Sequence, residues 1–387
     1  MRVPRLAIIG NPDSIHVSRW CRHFAEHGFD VVVLTYYPSS LANEEHLQVR
    51  SLRTRRSGGG GPGAAPAQGS PVRGRLVALM PGAMRLVSAV RFRLAGLQQQ
   101  LREARPDIVH GHYLSDYGFL AATGGVRPLV TTAWGSDVLR DTKESAITNG
   151  ITRWVIHESA LVTYNADVLG QACTGLGARK DQLLKVVLGV DSLFLDGPAT
   201  PQAKRPPVIV SHRNLDRTIF NVDVIINAMP AVLRSVPDAL LLVGNSGRLE
   251  PGLRELAARL GLGAHVRFIG HAKDQRELAE RLAGAAVYVA VPDSDGSSVT
   301  LLEAMASGSF PVVSDIPSNR EWVAPDGGLV VPPRDASALA EALIQALEDP
   351  SRRQQAAERN RAFIAEHGAW DRNMARMEQA YRELLVG

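Results

Sequence analysis

The chain has 387 residues, 45% of them hydrophobic and 21% charged, with a formal net charge of +4. Apolar content on that scale supports two cores and excludes a disordered polymer. Its two cysteines, Cys21 and Cys173, exclude a disulfide framework or a cysteine metal cluster, and no apolar run is long enough for a membrane span or a secretory core, so the cytoplasm is the expected compartment.

Short apolar runs alternate with amphipathic stretches from the start of the chain. Strands are expected at Leu6 to Ile9, Val31 to Leu34, Ile108 to Val109, Leu129 to Thr131, Leu161 to Thr163 and Val186 to Leu188. The turn after the first run, Asn11-Pro-Asp-Ser-Ile-His-Val-Ser-Arg-Trp20, opens a helix and places Ser14, His16 and Arg19 toward a ligand, with Trp20 in the core. Residues 50–105 hold eleven Arg and one acid, Glu103, which leaves about −6 for the remainder. Within them, residues 57–70 are a Gly- and Pro-rich loop, and residues 76–101 show helical spacing with Arg85, Arg91 and Arg93 interleaved. Peripheral contact with an anionic membrane is the functional expectation for this region, and a solvated Arg face on a packed helix is the plain one. Nucleic acid is not an expected partner, because no aromatic stacking motif accompanies the charge.

After a Pro-rich linker at 198–207 a second series begins, with strands expected at Val208 to Val210, Ala239 to Val243, Val266 to Ile269, Val287 to Ala290, Pro311 to Val313 and Leu329 to Val331. The pattern is that of an α/β protein with two Rossmann-like domains whose parallel sheets face a central cleft, and ligands of such sheets lie beyond the carboxyl ends of the strands.

The stretch Ser294-Asp-Gly-Ser-Ser-Val-Thr-Leu-Leu-Glu-Ala-Met-Ala-Ser-Gly308 reads as a polar turn followed by a helix from Thr300 to Ala306. Free N–H groups around Gly296, Ser297, Ser298 and Val299 would accept a diphosphate at the helix start. Glu303 would take ribose hydroxyls and Asp295 a sugar. An acidic first turn with a solvated Glu is the alternative reading of the same residues.

The run Leu301-Leu-Glu-Ala-Met-Ala-Ser-Gly308, followed by Phe310-Pro-Val-Val-Ser-Asp315, resembles glycosyltransferase family 4, of the two-domain GT-B fold. The resemblance implies an N-terminal acceptor-binding domain at 1–198, a C-terminal donor-binding domain at 207–369 and a helix at 370–387 that returns to the first. It implies that Asp295, a Glu in many members, holds the donor sugar, and that Arg213, in Ser-His-Arg-Asn-Leu after a strand, neutralises the diphosphate. The Lys that the family carries a few residues later is absent: Phe220-Asn221 stands there, and Arg217 is the candidate substitute. Gly244-Asn-Ser-Gly247 resembles the short Gly-rich loop near the nucleotide. Asn319-Arg-Glu-Trp322 resembles a subset of the family, although Arg320 and Glu321 could pair on a helix face; His271 reads as a surface residue.

On the acceptor side, His112 is preferred over His110 as cleft-facing, on the argument that alternate strand residues face opposite ways. Trp134 replaces a family His before Gly135, so polar work there is expected to pass to Asp137 or His112. The implied reaction is metal-independent transfer with retention, from a nucleoside-diphosphate sugar (a UDP-sugar favoured) as co-substrate with no cofactor, to a glycan, lipid-linked or small-molecule acceptor. A nucleotide-sugar binding protein or an epimerase of the same fold is the alternative.

Overall fold

The computed structural model describes residues 2–36, 40–44, 46–51, 94–196 and 207–386. The expected loop at 57–70, most of the Arg-rich segment with its membrane contact, and the linker at 198–207 apart from Pro207 lie outside the described residues. Of the expected helix at 76–101, residues 94–101 are described, in a helix that runs to 104.

Among the described residues, thirteen strands form two parallel sheets. The first orders β3 (Gln48–Ser51), β2 (Asp30–Thr35), β1 (Arg5–Ile9), β4 (Ile108–His112), β5 (Leu129–Thr132), β6 (Leu161–Tyr164) and β7 (Leu183–Lys185). The second orders β10 (Val266–Gly270), β9 (Leu240–Gly244), β8 (Val208–His212), β11 (Val287–Ala290), β12 (Phe310–Ser314) and β13 (Leu329–Val331). Central strands such as β1, β4 and β11 are buried along their length, because helices cover both faces of a parallel sheet; this is why they read as unbroken apolar runs. Strand β3 carries Gln48 and Arg50 at a sheet edge and gives no such signal. The sixth expected run is shifted: β7 ends at Lys185, and Val186 to Leu188 continue beyond it as buried chain, with the Val186 N–H bonded to the Tyr164 carbonyl at 2.8 Å.

The strand order reverses between β1 and β4 in one sheet and between β8 and β11 in the other. Outside the carboxyl ends of these pairs lies the crevice where such sheets bind ligands.

Contacts divide the chain into two units: residues 1–163, 173–184 and 378–387, and residues 164–172 with 185–377. The core of the first gathers Trp20, Phe24 and Tyr381 around β1 and β4; Tyr381 comes from the last helix, Trp370–Val386, and its hydroxyl accepts from the Trp20 indole N–H at 3.1 Å. In the second, the helix Val222–Ser235 packs on the sheet with the helix Ala336–Glu348, through Ile225, Met229, Leu339 and Leu343.

Candidate active site

In the second unit the switch point lies between the loop after β8, which starts at Arg213, and the loop after β11, residues 291–298. The helix that follows, Val299–Ala306, is apolar apart from Thr300 and Glu303, and Leu301 through Ala306 are buried. Ser298 caps it, accepting from the Leu301 N–H at 3.4 Å, and Gly308 at φ +87° makes the left-handed turn into β12. Asp295, Arg213 and Ser298 meet here. The buried Arg213 guanidinium donates to the Asp295 carboxylate and to the Ser298 hydroxyl, both at 2.5 Å, and lies 4.3 Å from the centroid of the Phe220 ring. Phe220, in the place of the family's Lys, therefore supports the Arg213 cation from its π face. Arg217 makes no ion pair with a described residue; it is exposed and lines a separate groove.

Ser298, Val299 and Thr300 carry backbone N–H groups with no partner among the described residues. Two of the other expected phosphate donors are corrected. The Gly296 N–H turns back to its neighbour Asp295 at 3.0 Å, and the Ser297 N–H points to the Asn165 side-chain oxygen at 3.4 Å. Ser297 is locked in place: its hydroxyl donates to the Asn165 carbonyl at 2.5 Å and accepts from the Trp322 indole at 2.9 Å. Gly296 serves this lock, since a Cβ there would sit 2.6 Å from the Asn165 side-chain oxygen. Glu303 is buried one turn into the helix, facing no open solvent.

Gly244 and Gly247 are needed for close packing. A Cβ on Gly244 would lie 2.2 Å from the His212 ring, and one on Gly247 would lie 2.4 Å from the Leu215 carbonyl carbon. The His212 ring reaches His271 through Asn245, which contacts the first at 3.2 Å and the second at 2.9 Å; His271 is exposed, a surface residue as expected, and is bonded to this loop. Burial, with Arg281 and His271 nearby, holds His212 neutral, with its pKa lowered to about 4. Arg320 and Glu321 do not pair with each other: Arg320 binds Asp315 and Glu321 binds Lys185.

In the first unit the turn after β1 starts the helix Ile15–Glu26. Ser14 sits at its N-cap without a side-chain bond, and His16 stacks on Trp134 at 5.0 Å between ring centroids; Ser14, His16, Arg19 and Trp134 are all partly exposed. The alternation expected to set His112 apart from His110 does not hold. Residues two apart on a strand share a face, and the two rings stack at 4.3 Å. Both are buried. His110 bridges the Tyr381 and Thr132 hydroxyls at 2.5 and 2.6 Å, whereas neither ring nitrogen of His112 has a hydrogen-bond partner among the described residues. Desolvation, with His16 nearby, lowers the His112 pKa to about 3, so the ring is a neutral imidazole.

Asp137 is corrected from an acceptor-side polar group to a loop brace. It is fully buried and accepts from the N–H groups of Leu114, Gly135 and Trp134 at 3.0, 2.9 and 3.1 Å. Burial lifts its pKa to about 6 despite those bonds. The polar cluster beside it was not expected: the Tyr113 hydroxyl donates to Asp141 at 2.6 Å and meets Ser136 at 2.8 Å. A Tyr after His-Gly-His at a strand end was the available signal.

Two family descriptions match the chain: "Glycosyl transferase 4-like domain" over residues 14–189 and "Glycosyl transferases group 1" over 197–363. The chain is similar to the GDP-mannose-dependent monoacylated alpha-(1-6)-phosphatidylinositol monomannoside mannosyltransferase of Corynebacterium glutamicum, 33% identical over 195 residues, 45% of this chain and 49% of that one. It is also similar to the phosphatidyl-myo-inositol mannosyltransferase of Mycolicibacterium smegmatis, 31% identical over 208 residues, 50% of this chain and 52% of that one. These matches span about half the length of the curated relatives. Among solved structures, the sucrose-phosphate synthase of Thermosynechococcus elongatus superposes with a TM-score of 0.75 at 18% identity over 99% of both chains. Anabaena HepE in complex with UDP does so with a TM-score of 0.74 at 16% identity, over 98% of this chain and 100% of that one. The two matched segments, the two parallel α/β sheets and the motif residues brought together at the second switch point agree: the chain belongs to glycosyltransferase family 4, of the GT-B fold.

Proposed function

We propose that the protein transfers a sugar, with retention of anomeric configuration, from a nucleoside-diphosphate sugar to a hydroxyl of a lipid-linked or glycan acceptor. The observation that carries this reading is the meeting of Arg213, Asp295 and Ser298 beside unpaired N–H groups at the start of the helix Val299–Ala306. A diphosphate takes the Ser298, Val299 and Thr300 N–H groups and draws Arg213 onto its oxygens, neutralising the charge that develops as the glycosidic bond breaks. Asp295, released from Arg213, turns to a hydroxyl of the sugar. Glu303 takes the ribose. Residues 207–369 carry the donor, and residues 1–198 the acceptor, with Ser14, His16, Arg19 and Trp134 toward it and the 370–387 helix completing that domain.

GDP-mannose is the first donor to test and a UDP-sugar the second. The Corynebacterium and Mycolicibacterium relatives, at 33% and 31% identity, name GDP-mannose or mannose, while a lipopolysaccharide core glycosyltransferase at 32% names no donor; the UDP complexes lie below 25% and support the fold alone. Phosphatidylinositol-type lipids are the first acceptors on the same ground, and a peripheral position on the inner membrane face follows from them. Among the described residues no helix is long and apolar enough to cross a membrane.

The deciding experiment is calorimetric titration of GDP, UDP, ADP and TDP in chelator, followed by NMR of the anomeric proton of any product. Binding of one nucleotide that Arg213→Ala and Glu303→Ala both weaken, with an α-linked product from an α-linked donor, supports the proposal. Binding without transfer to any acceptor supports the non-catalytic alternative, for which Phe220 in place of a second phosphate-binding cation is the specific observation. Binding of none overturns both.

A further inference from the structure

The second unit holds a groove of about 700 Å³ that the transferase reading does not use. It runs between the helices Val222–Ser235 and Glu250–Arg259 and the loop after β8. Its lining is apolar at Leu215, Val222, Leu249, Leu253 and Leu256, cationic at Arg217, Arg259 and Arg334, and acidic at the exposed Asp223. Volume and composition match a small-molecule site, which is mostly apolar with a few placed polar groups.

The three cations differ in what they have available. Arg334 is held by both oxygens of Asp293, and Arg259 is paired with Glu255. Arg217 alone has no ion-pair partner among the described residues, four positions after Arg213. The wall beneath it is fixed in advance. Asn221, also lining the groove, is left-handed at φ +49° and donates to the Val291 carbonyl at 2.9 Å and to Asp293 at 2.8 Å, and the Leu249 N–H bonds the Leu215 carbonyl at 2.9 Å. A preformed apolar slot with one uncommitted guanidinium selects a ligand with an apolar body and a single anionic group.

We propose that this groove is a second ligand site, for a small organic anion with an aromatic or aliphatic body, seated on Leu253 and Leu256 with its anion on Arg217. The site does not depend on the transferase reading, because none of Arg213, Asp295, Ser298 and Glu303 lines it.

The test uses 8-anilinonaphthalene-1-sulfonate, which joins an apolar ring system to one sulfonate, titrated by fluorescence into the full chain. The expected result is one saturable site, weakened about tenfold or more by Arg217→Ala and by Leu256→Gln, and unchanged by Arg213→Ala. Circular dichroism melts of both groove variants check that each is folded. If Leu256→Gln does not fold, Gly252→Gln, at an exposed position on the groove wall, replaces it. Dye binding unaffected by either groove variant overturns the proposal, as does dye displaced in direct proportion to added GDP or UDP, which would place it in the donor site.

Discussion

Arg213 and Asp295 lie in the loops that follow neighbouring strands, β8 and β11, and are bonded to each other at 2.5 Å. Two groups expected to hold different parts of one donor thus satisfy one another. A buried guanidinium left without its carboxylate is costly, on the order of 3–5 kcal/mol. Asp295→Ala is therefore expected to lower the melting temperature, and added nucleoside diphosphate to recover most of the loss by giving Arg213 a new anion. Asp295→Asn should bind nucleotide at least as tightly as the wild type while turnover falls a hundredfold or more. Calorimetry beside a transfer assay checks both, and weaker nucleotide binding in Asp295→Asn would count against competition between the carboxylate and the diphosphate.

Phe220 gives a second prediction. Its ring supports Arg213 at 4.3 Å, a contact worth about 1–2 kcal/mol when desolvated. Restoring the family's residue with Phe220→Lys removes that contact and sets a like charge beside Arg213, so the variant is expected to be less stable alone. Bound to nucleotide it should be tighter, by about tenfold, because two cations then share the phosphates. Thermal melts with and without GDP or UDP separate the two effects.

Trp322 acts at one remove. Its indole N–H bonds Ser297, which also binds Asn165, and so fixes the turn leading into the helix Val299–Ala306. Trp322→Phe keeps the ring and loses that bond, a change of about 1–3 kcal/mol for a buried acceptor. Nucleotide affinity is expected to fall several-fold with the fold intact; unchanged affinity would mean that Ser297 and Asn165 hold the turn without it.

Acid stability follows from three buried histidines. Burial lowers His110 well below its ordinary value, His112 to about 3 and His212 to about 4. Each binds fewer protons folded than unfolded. Its contribution is complete above about pH 6.5 and is lost as the pH falls toward its folded value. Asp137 acts in the opposite sense: its pKa is raised to about 6, so its contribution is present at low pH and lost as the pH rises through that value. Three histidines against one carboxyl leave a net loss between about pH 6.5 and 4, at up to about 1.4 kcal/mol per pH unit for each uncompensated group. Urea titrations at pH 7, 6 and 5 measure the slope, and His112→Leu should make it shallower.

Two glycines predict opposite signs. Gly244→Ala drives a methyl into the His212 ring and is expected to cost about 1–3 kcal/mol. Gly252, within the helix Glu250–Arg259, has nothing within 4 Å of a Cβ, so Gly252→Ala should stabilise by about 0.5–1 kcal/mol. Chemical denaturation of the pair checks both.

The sheets were legible because buried parallel strands are apolar throughout, and the helix expected from Thr300 to Ala306 starts one residue earlier, at Val299, because a polar turn before an apolar run is written locally. Strand β3 was hidden by its edge position, which tolerates Gln48 and Arg50. Asp137 could not be read as a brace, since a carboxylate reveals its donors only when the fold brings Leu114 back to it from 23 positions away. Asn165 carried no signal at all: its partner Ser297 is 132 residues distant, and nothing about Tyr-Asn-Ala-Asp marks it. His110 and His112 stand two apart on β4 and share a face, so strand alternation does not separate them.

The division of the chain into contact units has a practical edge. The backbone passes from one unit to the other four times, at 163/164, 172/173, 184/185 and 377/378. Residues 164–172, written in the midst of the first half, supply Asn165 to the turn that precedes the helix Val299–Ala306. A fragment beginning at residue 185 therefore starts life without one of its own struts, and a chimera that exchanges second halves between relatives inherits a foreign one. An exchange of this unit by recombination has to carry the nine residues 164–172 along with the segment after 185.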